Sequence, residues 1–191
     1  MGLLIVPIAL LVVSFTRPWY QTKLDSGEKL IYNYKTIKIE DQPYKNYTVS
    51  FSVPFDDKTD LIHSLKVFQS TFVFAIMAWC MHVIAAGFIL VGLFGKLPEM
   101  LHLVPKIVVP VALGFTLISL FIFLGLPKAI DIDCSNNDNF GALCLPLGQR
   151  DKLVGSSDGS KWGPLEGWAT VVASSAFSLG ATVVTLVFQK F

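Results

Sequence analysis

The chain has 191 residues, of which 53% are hydrophobic and only 15% charged, where soluble domains carry roughly 25%. Its 15 Lys and Arg balance 14 Asp and Glu for a net charge of +1, which gives no case for nucleic-acid binding, since that needs a concentrated excess of positive charge. The apolar residues gather in four blocks, and the sequence reads as an integral membrane protein.

The first block, about 2–16, is short and contains Pro7. A cleaved signal peptide is the alternative reading, but no Lys or Arg precedes the block and no small-x-small site follows it. We read it as a span, because the helix continued through Arg17-Pro18-Trp19-Tyr20 reaches the depth where Trp and Tyr settle and Arg17 can snorkel. Trp19 is thereby an expected interface anchor.

A 50-residue connection follows, residues 17–66. From Leu30 to Ile39 and from Tyr44 to Val53 polar and apolar residues alternate with a strand period, and Glu40-Asp41-Gln42-Pro43 supplies turn chemistry. The expectation is an antiparallel hairpin, the seed of a small extracellular sheet. A lone hairpin is marginal in water, so its apolar face needs more strands from this loop, the second loop or another chain. Asn46-Tyr47-Thr48 is a glycosylation acceptor.

The second and third spans, 67–94 and 107–126, carry no formal charge and meet the requirement of roughly 20 apolar residues for a core about 30 Å thick. Cys80 reads as a buried apolar residue. His82 is the only ionisable side chain inside any span, and hydrogen bonding within the bundle explains one isolated His better than ligation does.

Residues 127–166 form the second large connection. Cys134 and Cys144 stand ten apart in it and are expected to form a disulfide; with no His nearby, a tetrahedral zinc site is the weaker alternative. The acidic clusters Asp56-Asp57-Asp60 and Asp131-x-Asp133 read as solvated charge. Before the fourth span, 167–188, Pro164 suits a first helical turn, Glu166 complements the positive helix end, and Trp162 and Trp168 are expected anchors. Within it Ala169, Ala173, Ala176 and Gly180 form a small-residue helix-packing surface, directed either into the same bundle or toward another subunit.

The fold class expected is a helical integral membrane protein: one four-span domain, 1–191, with a small extracellular antiparallel sheet from the first loop and both large loops on one side. Twelve of the basic residues lie in those loops, against Lys96, Lys106 and Lys190 opposite, which by itself favours cytoplasmic loops. The acceptor at Asn46 and the cysteine pair favour the reverse, and we place the loops outside and the termini in the cytoplasm.

Four spans, a β-forming first outer loop and minimal cytoplasmic turns resemble the claudin-like superfamily, which includes peripheral-myelin-protein and calcium-channel gamma-subunit relatives. Pro18-Trp19 after the first span, the run from Asp60-Leu61 to Lys66, and Gly163 with Gly167-Trp168 carry the resemblance. The chain departs from it in having no Cys in 17–66.

No phosphate-cradling, nucleophilic or metal-ligand motif is present, so we expect no catalysis and no cofactor. The expected partners are the lipid bilayer and other membrane subunits or copies of the chain itself, not nucleic acid. The function expected is that of an auxiliary or structural subunit in a plasma or secretory-pathway membrane, with cell-contact adhesion or barrier formation as the alternative and a channel or transporter subunit less favoured.

Overall fold

A computed structural model describes residues 2–44, 47–54, 62–94, 103–136, 147–157 and 159–188. The elements are α1 (Gly2–Thr16), β1 (Tyr20–Lys23), β2 (Lys29–Tyr32), β3 (Thr36–Tyr44), β4 (Tyr47–Pro54), α2 (Ile62–Leu93), α3 (Leu103–Leu124), α4 (Leu126–Asn136), a 3-10 turn (Leu147–Arg150), β5 (Gly155–Ser157), β6 (Ser160–Pro164) and α5 (Glu166–Phe188). They divide into two compact units. One holds residues 1–16, 72–120 and 169–191; the other holds 17–71 and 121–168.

The first unit is helical. Three helices, Ile62–Leu93, Leu103–Ser135 and Glu166–Val187, are long and apolar enough to cross a membrane. Large apolar side chains on them face outward, among them Ile107 at 64% exposure and Val187 at 58%, as lipid-facing residues do. α1 is apolar but has only 15 residues, a length of about 22 Å at 1.5 Å per residue, which is shorter than a hydrocarbon core about 30 Å thick. Its buried residues Leu4, Pro7, Leu11 and Ser14 recur every three or four positions and so share one face. Leu4 joins Ala85, Val109 and Ala181 in a core to which α1, α2, α3 and α5 each contribute.

The second unit is a six-stranded antiparallel sheet in the order β4-β3-β2-β1-β6-β5, with the ends of helices packed in the same unit. Both connections build it. β1 of the first loop pairs with β6 of the second, Tyr20 opposite Pro164 and Lys23 opposite Lys161, so the expectation of a sheet from the first loop alone is too narrow. The strand expected over Leu30–Ile39 is two strands, broken where the Asn33 N–H donates to the Thr36 carbonyl at 2.9 Å. β3 runs on through the expected turn at Glu40–Pro43, with a register shift between Asp41 and Tyr44. Pro164 ends β6 rather than opening a helix, and α5 begins at Glu166.

Residues 127–136, expected as loop, continue from α3 as α4 after a turn in which the Gly125 N–H donates to the Ile122 carbonyl. Leu126, Pro127, Ala129, Ile130, Asp133 and Cys134 are its buried residues, and all but Pro127 follow helical spacing along one face. The core of the unit is aromatic. Phe123, fully buried, lies 5.8 to 6.3 Å from the rings of Trp19, Tyr20, Phe68 and Trp168, and Tyr32 stacks on Phe68 at 6.0 Å; such pairs contribute roughly 0.5–1.5 kcal/mol each beyond area burial. At Gly167 a Cβ would stand 2.6 Å from Trp19 and 2.9 Å from the Arg17 and Pro18 carbonyl oxygens, so only glycine lets the two backbones approach there.

Candidate functional site

Three surfaces of the described residues carry chemistry beyond simple packing: an intramembrane polar chain, the outward face of α5, and the two faces of the sheet.

His82 is fully buried in the first unit. Its Nδ1 lies 2.8 Å from the Ala78 carbonyl oxygen and its Nε2 2.8 Å from Ser178 Oγ. A carbonyl only accepts, so Nδ1 carries the ring proton, and the single hydroxyl proton of Ser178 lies between two acceptors, His82 Nε2 and the Ser174 carbonyl at 2.8 Å. Ser174 Oγ in turn donates to the Pro7 carbonyl at 3.4 Å. The chain ties α2 to α5 and α5 to α1, and with both ring nitrogens engaged His82 presents no open lone pair. Thr116 and Ser175 donate to carbonyls of their own helices, which removes their cost in an apolar setting.

α5 has two opposed faces. Val171, Ser174, Ser178, Ala181, Thr182 and Thr185 are buried. Ala169 and Ala176 are exposed and Ala173 and Gly180 half-buried, and a Cβ added at Gly180 would meet nothing within 4 Å. At about 100° per residue the small-residue surface lies nearly opposite the buried one. The packing expected of Ala169, Ala173, Ala176 and Gly180 inside the same bundle is therefore made by a different, hydroxyl-bearing face.

The sheet is amphipathic. Leu30, Thr22, Trp162, Ile37, Tyr32 and Tyr20 are buried on one face. Gln149 of the 3-10 turn is 1% exposed and donates from Nε2 to Thr22 Oγ1 at 2.9 Å. Trp162 Nε1 donates to the Lys152 carbonyl and the Tyr20 hydroxyl to the Leu153 carbonyl. Burial pushes the Tyr32 phenol up to about 12, opposed by its hydrogen bond with Thr22, and raises Tyr20 beyond the ordinary tyrosine range for the same reason. The opposite face carries Lys23, Lys29, Lys38, Glu40 and Lys161. Lys38 Nζ lies 2.6 Å from Glu40 and, with Lys29, holds that carboxyl below the usual range.

Asp133 is not solvated, contrary to the sequence reading. Its side chain is 1% exposed and accepts from the backbone N–H of His63 and Ser64 at 2.9 and 2.8 Å and from Ser64 Oγ at 2.7 Å; His63 Nδ1 stands 2.9 Å away. It caps α2 from a helix 70 residues on, satisfying donors that a helix start leaves free. Asp131 pairs with Lys128.

Trp19 and Trp162 are 1% and 4% exposed, buried against their own chain, so neither ring is presented to lipid headgroups as an anchor. The aromatic core claims them, since a buried indole contributes more area than an interfacial one. Trp168 is half-buried in the same cluster. Cys80 is exposed on α2, not buried, and is a free thiol. Cys134 is buried on α4, while Cys144 lies outside the described residues, and the expected pairing with it; Asn46 lies outside them as well. Among the described residues no three His, Cys, Asp or Glu side chains gather as a metal site would require. Sequence reasoning missed α4, the Asp133 cap and the lysine face; the first had a signal in the i, i+3, i+4 spacing of Leu126, Ala129 and Ile130.

No protein-family model matches the chain, and no curated protein is significantly similar to it.

Proposed function

We propose that this chain is a four-span, non-catalytic membrane protein, with α1 as the short fourth span, that acts as an auxiliary or structural subunit of a larger membrane assembly. One observation carries the reading: α5 buries a hydroxyl-bearing face in its own chain and turns a second face of Ala169, Ala173, Ala176 and Gly180 outward. In lipid no hydrophobic effect drives helices together, and small residues are what allow close approach. The partner on that face is another membrane helix. The sheet lies on the non-cytoplasmic side with Asn46 glycosylated and Cys134 bridged to Cys144, and both termini are cytoplasmic; among the described residues only Cys80 is a free thiol, which supports that pairing. The arrangement is claudin-like, and the membrane is the plasma membrane or another of the secretory pathway.

Ala176→Leu and Gly180→Leu test it. Full-length protein extracted from native membranes in mild detergent is expected to carry a stoichiometric different chain, and both variants are expected to fold and lose it. A wild type that is a monodisperse monomer, or variants that keep the partner, would overturn the reading.

A second reading, adhesion by pairing of outer loops, is favoured by β4. It is an edge strand of eight residues, Tyr47–Pro54, free of charge, and such edges are templates for strand addition. Self-polymers in the same extraction would support it over the first.

A further inference from the structure

In an antiparallel sheet, residues directly opposite each other across strands share a face, with Cβ atoms about 4.5–5.5 Å apart. Reading the register across this sheet gives one continuous row: Ser50 opposite Glu40, Glu40 opposite Lys29, Lys29 opposite Lys23, Lys23 opposite Lys161, and Lys161 opposite Ser156. Three lysines on three neighbouring strands therefore stand side by side, and like charges so placed repel. Lys38 sits on the same face one row away, opposite Ile31.

The acid at the end of this row offsets only part of the charge: Glu40 is bonded to Lys38 at 2.6 Å and its field reaches Lys29, but no ion pair among the described residues includes Lys23, Lys29 or Lys161. Lys23 and Lys161 are exposed and Lys29 half-buried. Beside the row a depression of about 320 Å³ is lined by Gln21, Lys23, Gly27, Lys29 and Glu40.

We propose that this open face of the sheet binds a sulfated polysaccharide chain, with Lys29, Lys23 and Lys161 contacting successive oxyanions and Gln21 donating to a sugar hydroxyl in the depression. The charges repeat at the strand spacing of about 4.8 Å and run across the strands, so they match a chain of closely repeated anions laid over the sheet. Tight protein interfaces gather around Trp, Tyr or Arg anchors, and among the described residues the apolar side chains on this face are aliphatic, half-buried Ile31 and exposed Val154 beside Gly163. All its cations are lysines, point charges that meet an oxyanion from any direction, where bidentate recognition of carboxylates favours arginine. That polysaccharide reaches the face in life rests on the outward placement proposed above. The binding chemistry does not.

The test uses purified full-length protein in non-ionic detergent with a fluorescent heparin-derived octasaccharide as probe, its desulfated form, and vesicles containing phosphatidylserine. Binding of the sulfated probe at 0.15 M salt is expected, with strong loss at 0.5 M from screening. The K23Q/K29Q/K161Q variant is expected to bind about tenfold more weakly, while K128Q/K152Q, which removes two lysines elsewhere, binds as the wild type does. Thermal melting reports folding, and K23Q alone serves with a smaller loss if the triple variant misfolds. Wild type that ignores the sulfated probe, a triple variant that binds equally, or binding to vesicles without competition by the octasaccharide would overturn the proposal. The same probe on intact cells separates the two readings: binding in solution without binding at the cell surface overturns the outward placement and leaves the site standing.

Discussion

At the residue scale, Asp133 and the two buried tyrosines show how a side chain with an unremarkable sequence position acquires a structural task. Asp133 accepts three hydrogen bonds from His63 and Ser64 while 1% exposed. Removing a buried, fully bonded carboxylate strands those donors, so Asp133→Ala is expected to destabilise the protein by about 3 kcal/mol, read as a lower melting temperature in detergent. Asp133→Asn, which keeps one acceptor, is expected to recover part of the loss. The tyrosines govern the alkaline limit. Tyr32 has its phenol raised from 10.0 to about 12 by burial, so its contribution is intact below pH 10 and is lost between pH 10 and 12, where the unfolded chain ionises first. The loss is on the order of 2 kcal/mol, and Tyr32→Phe is expected to flatten it. Absorbance at alkaline pH and melting measured in parallel check both.

At the element scale, the lysine row trades stability for charge. Lys23 lies opposite Lys29 on one side and Lys161 on the other. Replacing the middle charge with a β-branched neutral residue, Lys23→Thr, is expected to stabilise the sheet by about 0.5 kcal/mol by removing like-charge opposition and improving strand propensity; chemical denaturation of the detergent-solubilised protein measures it. An unchanged or lowered stability would mean the three ammonium groups splay far enough apart not to interact. The small-residue face of α5 shows the complementary case, an element whose two sides differ in purpose. Ser174 and Ser178 fasten it within the chain, whereas Ala169 and Ala176 point away.

At the scale of the whole molecule, the six-stranded sheet makes the two large connections one object. Trp162 of the second is buried on the sheet and its strand is hydrogen-bonded to β1 of the first. Trp162→Ala deletes a large buried ring at a typical cost of about 3–5 kcal/mol, and is expected to raise the protease sensitivity of 17–44 and 147–164 together. Loosening confined to 147–164 would show that the first loop holds its strands without the second. The amino-acid sequence by itself determined the three long apolar helices, the strand character within 30–39 and 47–53 and the place of His82 as the one histidine inside a span, because apolar run length and alternation are local and the bilayer and the pleat read them directly. Only the tertiary structure decided that β6 completes the sheet, that Trp19 and Trp162 are core residues, that Asp133 caps α2 and that the alanines of α5 face outward. Each of those depends on which residue lies opposite another across about seventy or more positions of chain or on the far side of a helix, and burial on one face rather than another is set by the neighbours that pack there.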